Sequence, residues 1–126
     1  MFRLAALVLS LLLAMPAAAQ DVLARYTAFI GPPDLYNSQG QRLTEPWQVL
    51  RQDRANFHRF GIRQFADEWD PIFLSMEARA QFERLLQAGR MDPAARRAIL
   101  SGNAIVHVEV LGHGRQLHAV HVWVER

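Results

Sequence analysis

Residues 104–124, AIVHVEVLGHGRQLHAVHVWV, decide the fold of this chain. Two valine-rich runs, Ala104–Leu111 and Leu117–Val124, flank the segment Gly112-His113-Gly114-Arg115. Such runs around a glycine-containing turn are typical of an antiparallel hairpin. Because side chains alternate between the two faces of a strand, the sequence predicts one core-facing row in the first run, made of Val106, Val108 and Val110.

The register of this hairpin decides which histidine joins His107 and Glu109 on the opposite face. If the valines of the two strands face one another, with Val108 opposite Val120, His121 joins them, whereas a one-residue slip replaces it with His118. Two imidazoles and one carboxylate form a ligand set that zinc or another borderline metal accepts. The sequence therefore offers a zinc site at His107, Glu109 and His121 (or His118), and polar residues of a solvated sheet face are the alternative.

The N-terminal part of the mature chain predicts a third strand. Val22–Ile30 places Tyr26, Ala28 and Ile30 on one side, and Gly31-Pro32-Pro33 ends it. Strands at both ends with helices between them indicate an α+β domain. We expect a small antiparallel sheet, the N-terminal strand plus the C-terminal hairpin, packed against about three helices.

Cap and stop residues predict the bounds of those helices. Thr44 is expected to cap a first helix that Gly61 ends, and Ser75 a second that ends at Gly89. The pair Asp92-Pro93 begins a third, short helix, because proline is favoured in a first helical turn. Gly102-Asn103 ends it.

The first nineteen residues have the composition of a secretory signal peptide. Arg3 precedes the apolar run Leu4–Met15, and Pro16 and Ala17-Ala18-Ala19 follow it. As a helix this run is shorter than the ~30 Å hydrocarbon core of a bilayer, so we expect cleavage near Ala19 and no stable membrane span afterwards. The prediction is a periplasmic or secreted single domain, residues 20–126, with an uncleaved anchor as the alternative.

Composition excludes several classes of protein. The chain has 126 residues, 51% of them hydrophobic, and no cysteine, which excludes a cysteine nucleophile, a thiolate metal site and a disulfide framework. All fourteen basic residues are arginines, and without Arg3 thirteen face twelve acids. A near-neutral mature chain lacks the concentrated positive charge that nucleic-acid binding needs. GxGxxG, Walker, HExxH and GxSxG motifs are absent from the sequence.

Three further groups of residues are candidates for chemistry or binding. Arg51, Arg54 and His58 recur at i, i+3 and i+7 and predict a basic ridge for an anionic partner, or a plain solvated helix face. Asp53 falls on the apolar stripe of the first helix, either as an acid or base with a raised pKa or at the edge of the stripe, paired with an arginine such as Arg25 or Arg63. The third group is the acidic cluster Asp67, Glu68 and Asp70, which either binds calcium or caps a turn and meets arginines.

Eight aromatic residues complete the candidates. In a domain this small most of them are expected in the core, and any left exposed beside arginine indicates a surface for a partner. They are Tyr36, Trp47, Phe57, Phe60, Phe65, Trp69, Phe73 and Trp123.

These features favour a small exported binding or protein-interaction module without catalysis, whose partner is a periplasmic protein or a small ligand. The alternatives are a metal-binding protein with a His/Glu site on the hairpin, and a small hydrolase that uses Asp53 or the acidic cluster.

Overall fold

The computed structural model describes residues 20–125, and the predicted leader with its cleavage site lies outside them. The elements are β1 (Asp21–Ile30), a 3-10 turn (Pro32–Leu35), α1 (Pro46–His58), α2 (Met76–Ala88), α3 (Pro93–Ser101), β2 (Ala104–His113) and β3 (Gln116–Val124). The strands form one antiparallel sheet in the order β1-β2-β3. The α+β fold predicted from the sequence is therefore confirmed. None of the helices in the described part of the chain is long and apolar enough to cross a membrane.

The hairpin pairs its two valine rows, in a register displaced by two residues from the pairing of Val108 with Val120. Val108 is opposite Val122, and Glu109 is opposite His121. A displacement of two residues keeps every side chain on its predicted face. His121 therefore shares a face with His107 and Glu109, and the slip that would have selected His118 does not occur.

The caps of two helices agree with the sequence, and the cap of the first does not. The Ser75 hydroxyl accepts a hydrogen bond from the Ala78 N–H at 3.1 Å, and Asp92 caps α3 in the same way. In α1 the N-cap is Glu45 and not Thr44, because the Gln48 side chain turns back to accept from the N–H groups of both residues. The helix ends at His58, before Gly61.

The core lies between the valine face of the sheet and the helices. The valines of β2 are at most 1% exposed, and β1 adds Tyr26, Ala28 and Ile30 to the same face. Phe73 and Phe82 stack above them with ring centroids 4.2 Å apart. Burial of this apolar surface is the main stabilising contribution in a chain without disulfides.

Candidate functional site

The segment between α1 and α2, residues 59–75, has no helix or strand, and we call it the anchored loop. Its anchor is Arg54 of α1, whose side chain is completely buried. The Nη1 atom of Arg54 donates to Asp70 Oδ1 at 2.8 Å and to the Glu68 carbonyl at 3.0 Å. The guanidinium also lies 4.0 Å from the centroid of the Tyr26 ring. One buried cation thus joins the loop to the helix and to the sheet.

Asp70 holds the end of the loop that leads into α2. Besides Arg54, it accepts from the N–H groups of Ile72 at 2.9 Å and Phe73 at 2.6 Å, and it shares a 2.7 Å hydrogen bond with His58 Nε2. Burial pushes the pKa of Asp70 upward, but these hydrogen bonds outweigh it and leave the pKa below its ordinary value. An ionised Asp70 beside Arg54 keeps this end of the loop in one conformation.

The pKa of Asp53 is shifted in the opposite direction from that of Asp70. It is 1% exposed, its Oδ2 accepts from Arg54 Nε at 2.8 Å, and its Oδ1 has no partner among the described residues. Burial raises the pKa of Asp53 to about 8, although the Arg54 charge opposes the shift. The prediction that Asp53 pairs with an arginine holds, but its partner is the adjacent Arg54 rather than Arg25 or Arg63, and the carboxyl is buried instead of lying at the edge of the stripe.

Asp53 is shielded from solvent by the described residues, with 1% of its surface exposed. It lines none of five grooves found on the surface of residues 20–125. A general acid or base must lie within hydrogen-bond reach of the group that it protonates. The raised pKa therefore belongs to a buried carboxyl paired with Arg54, and the hydrolase alternative stays a prediction.

The other two acids of the cluster cover the outer edge of β1. Glu68 Oε1 accepts from the Thr27 N–H at 2.7 Å, and the Glu68 N–H donates to the Thr27 carbonyl at 2.8 Å. Asp67 accepts from the N–H groups of Phe29 and Gln64 at 2.8 and 2.7 Å. The three carboxylates of the cluster have different partners and do not converge as ligands of calcium would. The interpretation of the cluster as turn caps and an arginine partner is the one that the geometry supports.

The basic ridge predicted at Arg51, Arg54 and His58 is not present on the surface. Arg54 is buried, and the His58 side chain is only 5% exposed and faces Asp70. Arg51 is partly exposed and forms an ion pair with Glu83 of α2. The helical spacing was correct, but buried carboxylates draw two of the three side chains inward, so they do not form a surface for an anionic partner.

The predicted zinc ligands share one face of the sheet without forming a ligand set. His107 Nδ1 lies 3.0 Å from Thr27 Oγ1, and its Nε2 lies 3.1 Å from Glu125 Oε1. Glu109 accepts from Arg25 Nε at 2.8 Å. Within residues 20–125 no group of three or more His, Asp or Glu side chains is placed to hold a metal ion. The zinc site at His107, Glu109 and His121 stays a prediction, and its first ligand already has two protein partners.

The burial of the aromatic residues differs most from what the sequence predicted. Phe57 and Phe73 are buried and Trp47 is partly buried, but the other five of the eight are exposed, so the expectation that most belong to the core is wrong. Three of the exposed rings belong to the anchored loop. They are Phe60, Phe65 at 78% and Trp69 at 58% exposed.

One end of the loop forms a groove with the segment that follows β1 and with α1. Its apolar lining consists of Pro33, Tyr36, Phe60 and Ile62, its polar lining of Asn37, Ser38, Gln52 and Asn56, and its volume is about 300 Å³. The Arg59 guanidinium lies 5.0 Å from the centroid of the Phe60 ring, and the Arg42 guanidinium lies 5.8 Å from that of Tyr36. Both rings were candidates from the sequence, whereas Ile62 was not, because it begins a segment without helical or strand periodicity. No family model, curated protein or solved structure matches the chain.

Proposed function

We propose that the chain is a noncatalytic, exported binding module that docks another protein on the anchored loop. The observation that carries this proposal is a contrast within the loop. Its backbone is held by buried or paired carboxylates at Asp67, Glu68 and Asp70, while the side chains of Phe60, Phe65 and Trp69 remain exposed to water. A loop that is fixed and still exposes aromatic rings has already lost the conformational entropy that binding would otherwise remove.

The chemistry of the loop is that of interface hot spots. Trp, Tyr and Arg are the residue types that most often dominate the binding energy of protein interfaces. Here Trp69 and Phe65 are exposed, and Phe60 and Tyr36 each have a guanidinium beside the ring. Burial of one such ring contributes about 1.5–3 kcal/mol. Several exposed rings on and beside the loop would supply apolar anchors for an interface.

The charges around the groove indicate the kind of partner. No carboxylate among the described residues lines the groove of Tyr36, Phe60 and Ile62, and Arg42 and Arg59 lie at its rings. A protein segment with an apolar side chain flanked by acidic residues has the complementary charge. We therefore favour a partner protein over a free small ligand.

The compartment in this proposal comes from the sequence of the leader. Arg3, the apolar run and Ala17-Ala18-Ala19 support export and cleavage near Ala19. The measurement is fractionation of cells that express the full chain, followed by mass determination of the product. A cytosolic product that retains residues 1–19 would reject the compartment and leave the loop proposal to be tested by itself.

Site-specific photocrosslinking in cells tests the loop. A photoreactive phenylalanine derivative replaces Phe65 in the full chain, and a matched derivative replaces Gln87, an exposed residue of α2. We expect one crosslinked product from position 65 and none from position 87. An excess of unlabelled wild-type chain should compete for it, and an excess of the Phe60→Ser/Trp69→Ser variant should not. Equal products from both positions, or equal competition by both chains, would contradict the proposal.

A further inference from the structure

The two edges of the sheet differ in how their backbone groups are satisfied. On β1 the outward N–H groups of Thr27 and Phe29 donate to side chains of the anchored loop. On β3 the Glu125 N–H donates to the Ile105 carbonyl of β2, so in the alternating pattern of an antiparallel pair the groups of Val120, Val122 and Val124 point away from β2. No hydrogen bond within residues 20–125 reaches these outward groups.

β3 also lacks the features with which proteins protect a free edge. It contains no proline and no lysine, and its helix-side row from residue 120 onward is valine. The register shift of the hairpin falls next to Leu111, close to the turn, so residues 119–124 are regular. An edge of this length and composition is a template for another strand.

A groove beside this edge provides room for the side chains of an added strand. It has a volume of about 550 Å³ and lies between β3 and the small residues Ala94, Ala95 and Ala98 of α3. Val122 and Val124 form its other wall, and both are only partly buried. Helix-side residues of a strand paired to β3 would enter this groove and cover both walls.

We propose that the added strand is β3 of a second copy, paired antiparallel about a two-fold axis. The strand is self-complementary, because in-phase antiparallel pairing places the valine row of one copy against the valine row of the other. Pairing satisfies the outward backbone groups of both copies at once. The resulting six-stranded sheet ends at β1 on each side, where Asp67 and Glu68 already cover the edge, so the assembly closes as a dimer.

This dimer does not rest on the proposed function, because β3 and the anchored loop lie at opposite edges of the sheet. Its first test is sedimentation of the full chain over a wide range of concentration. We expect a dimer whose Kd rises about tenfold or more in Ala94→Arg, since the new side chain fills the groove. Ala94 is exposed, so the variant retains the contacts of the fold. Gln39→Arg, in the turn before α1, adds the same charge elsewhere and should leave the Kd unchanged.

Amide exchange locates the interface in the same samples. The N–H groups of Val120, Val122 and Val124 should exchange slowly at dimer concentrations and quickly on dilution or in Ala94→Arg, whereas the Trp123 N–H faces β2 and should stay protected throughout. A chain that remains monomeric, or a dimer in which the outward amides exchange freely and Ala94→Arg has no effect, would overturn the proposal. Pairing of β3 with a different protein instead of a second copy would also overturn it.

Discussion

Replacement of Asp53 by asparagine should change how the stability of the protein depends on pH. In the folded chain burial raises the pKa of Asp53 to about 8 from an ordinary value of 3.8. The folded state therefore keeps a proton that the unfolded state releases. A group whose folded pKa is raised stabilises the protein fully below the unfolded pKa, and this contribution is lost as the pH rises towards the folded pKa. The relevant window is about pH 4 to 8.

The size of the effect follows from proton linkage. Within the window the folded state binds one proton more than the unfolded state, so the free energy of unfolding falls by about 1.4 kcal/mol for each pH unit. Between pH 5 and pH 7 this amounts to about 3 kcal/mol for a single group. The asparagine side chain in Asp53→Asn would keep an oxygen for Arg54 Nε but cannot titrate. Its buried NH₂ group has no assured acceptor, which costs about 1–3 kcal/mol at acid pH.

The assay is urea denaturation of wild type and Asp53→Asn, followed by tryptophan fluorescence at pH 5 and pH 7. We expect the variant to be less stable at pH 5, and we expect wild type to lose about 3 kcal/mol relative to it by pH 7, so that the difference disappears or changes sign. Because both chains contain the same other titrating groups, the contributions of those groups to the pH dependence largely cancel in the stability difference. A difference that stays constant over this range would refute the reasoning and would mean that Asp53 is ionised beside Arg54. Infrared spectroscopy gives a second measurement, since a protonated carboxyl band should be present in wild type and absent from the variant.

Three further predictions test the edge, the last helix and the metal hypothesis. Glu68→Ala removes the acceptor of the Thr27 N–H, so hydrogen exchange at Thr27 should accelerate and urea denaturation should show a loss of about 0.5–1.5 kcal/mol, whereas exchange at Thr27 should be unchanged in Glu77→Ala. Gly102→Ala places a Cβ 2.8 Å from Leu35 Cδ1 at a φ of +75°, so calorimetry should show a loss of about 1–3 kcal/mol in the free energy of unfolding. An unchanged Tm would mean that alanine is not strained at this position. Stoichiometric zinc should leave the Tm of untagged protein unchanged, because both ring nitrogens of His107 have partners, whereas a rise that His107→Ala abolishes would establish the site.

The fold was predictable because its signals are local. The hairpin needed only the alternation of its valines and the glycines of its turn, and α2 and α3 needed only Ser75 and Asp92 as caps. The predicted faces remained correct although the register is displaced by two residues, since an even displacement leaves each residue on its face. The predicted cap of α1 was displaced by one residue, because the Gln48 side chain accepts from the N–H groups of Thr44 and Glu45 and the helix begins after Glu45.

The site was harder to predict because long-range contacts decide it. The spacing of Arg54 and His58 placed them on one helix face, but Asp70 lies beyond the end of that helix, and its carboxylate draws both side chains inward. Long-range contacts also explain why the aromatic rings of the anchored loop are exposed. The helix-facing side of a three-stranded sheet is already filled by Phe73 and Phe82 with the valines, and a backbone held by Asp67 and Glu68 cannot turn Phe65 or Trp69 into that core.

The dimer and the anchored loop together predict how the affinity of a partner depends on its number of binding segments. Pairing through β3 leaves β1 at both ends of the sheet, so the dimer carries one loop at each end. A partner with two binding segments could then gain avidity over a single contact, provided that its segments can span the sheet. Ala94→Arg should therefore weaken binding to a bivalent partner while the affinity of each loop for a single segment stays the same. Phe60→Ser/Trp69→Ser should do the reverse, with the loss of loop affinity and an intact dimer, so the two surfaces can be tested independently in one set of variants.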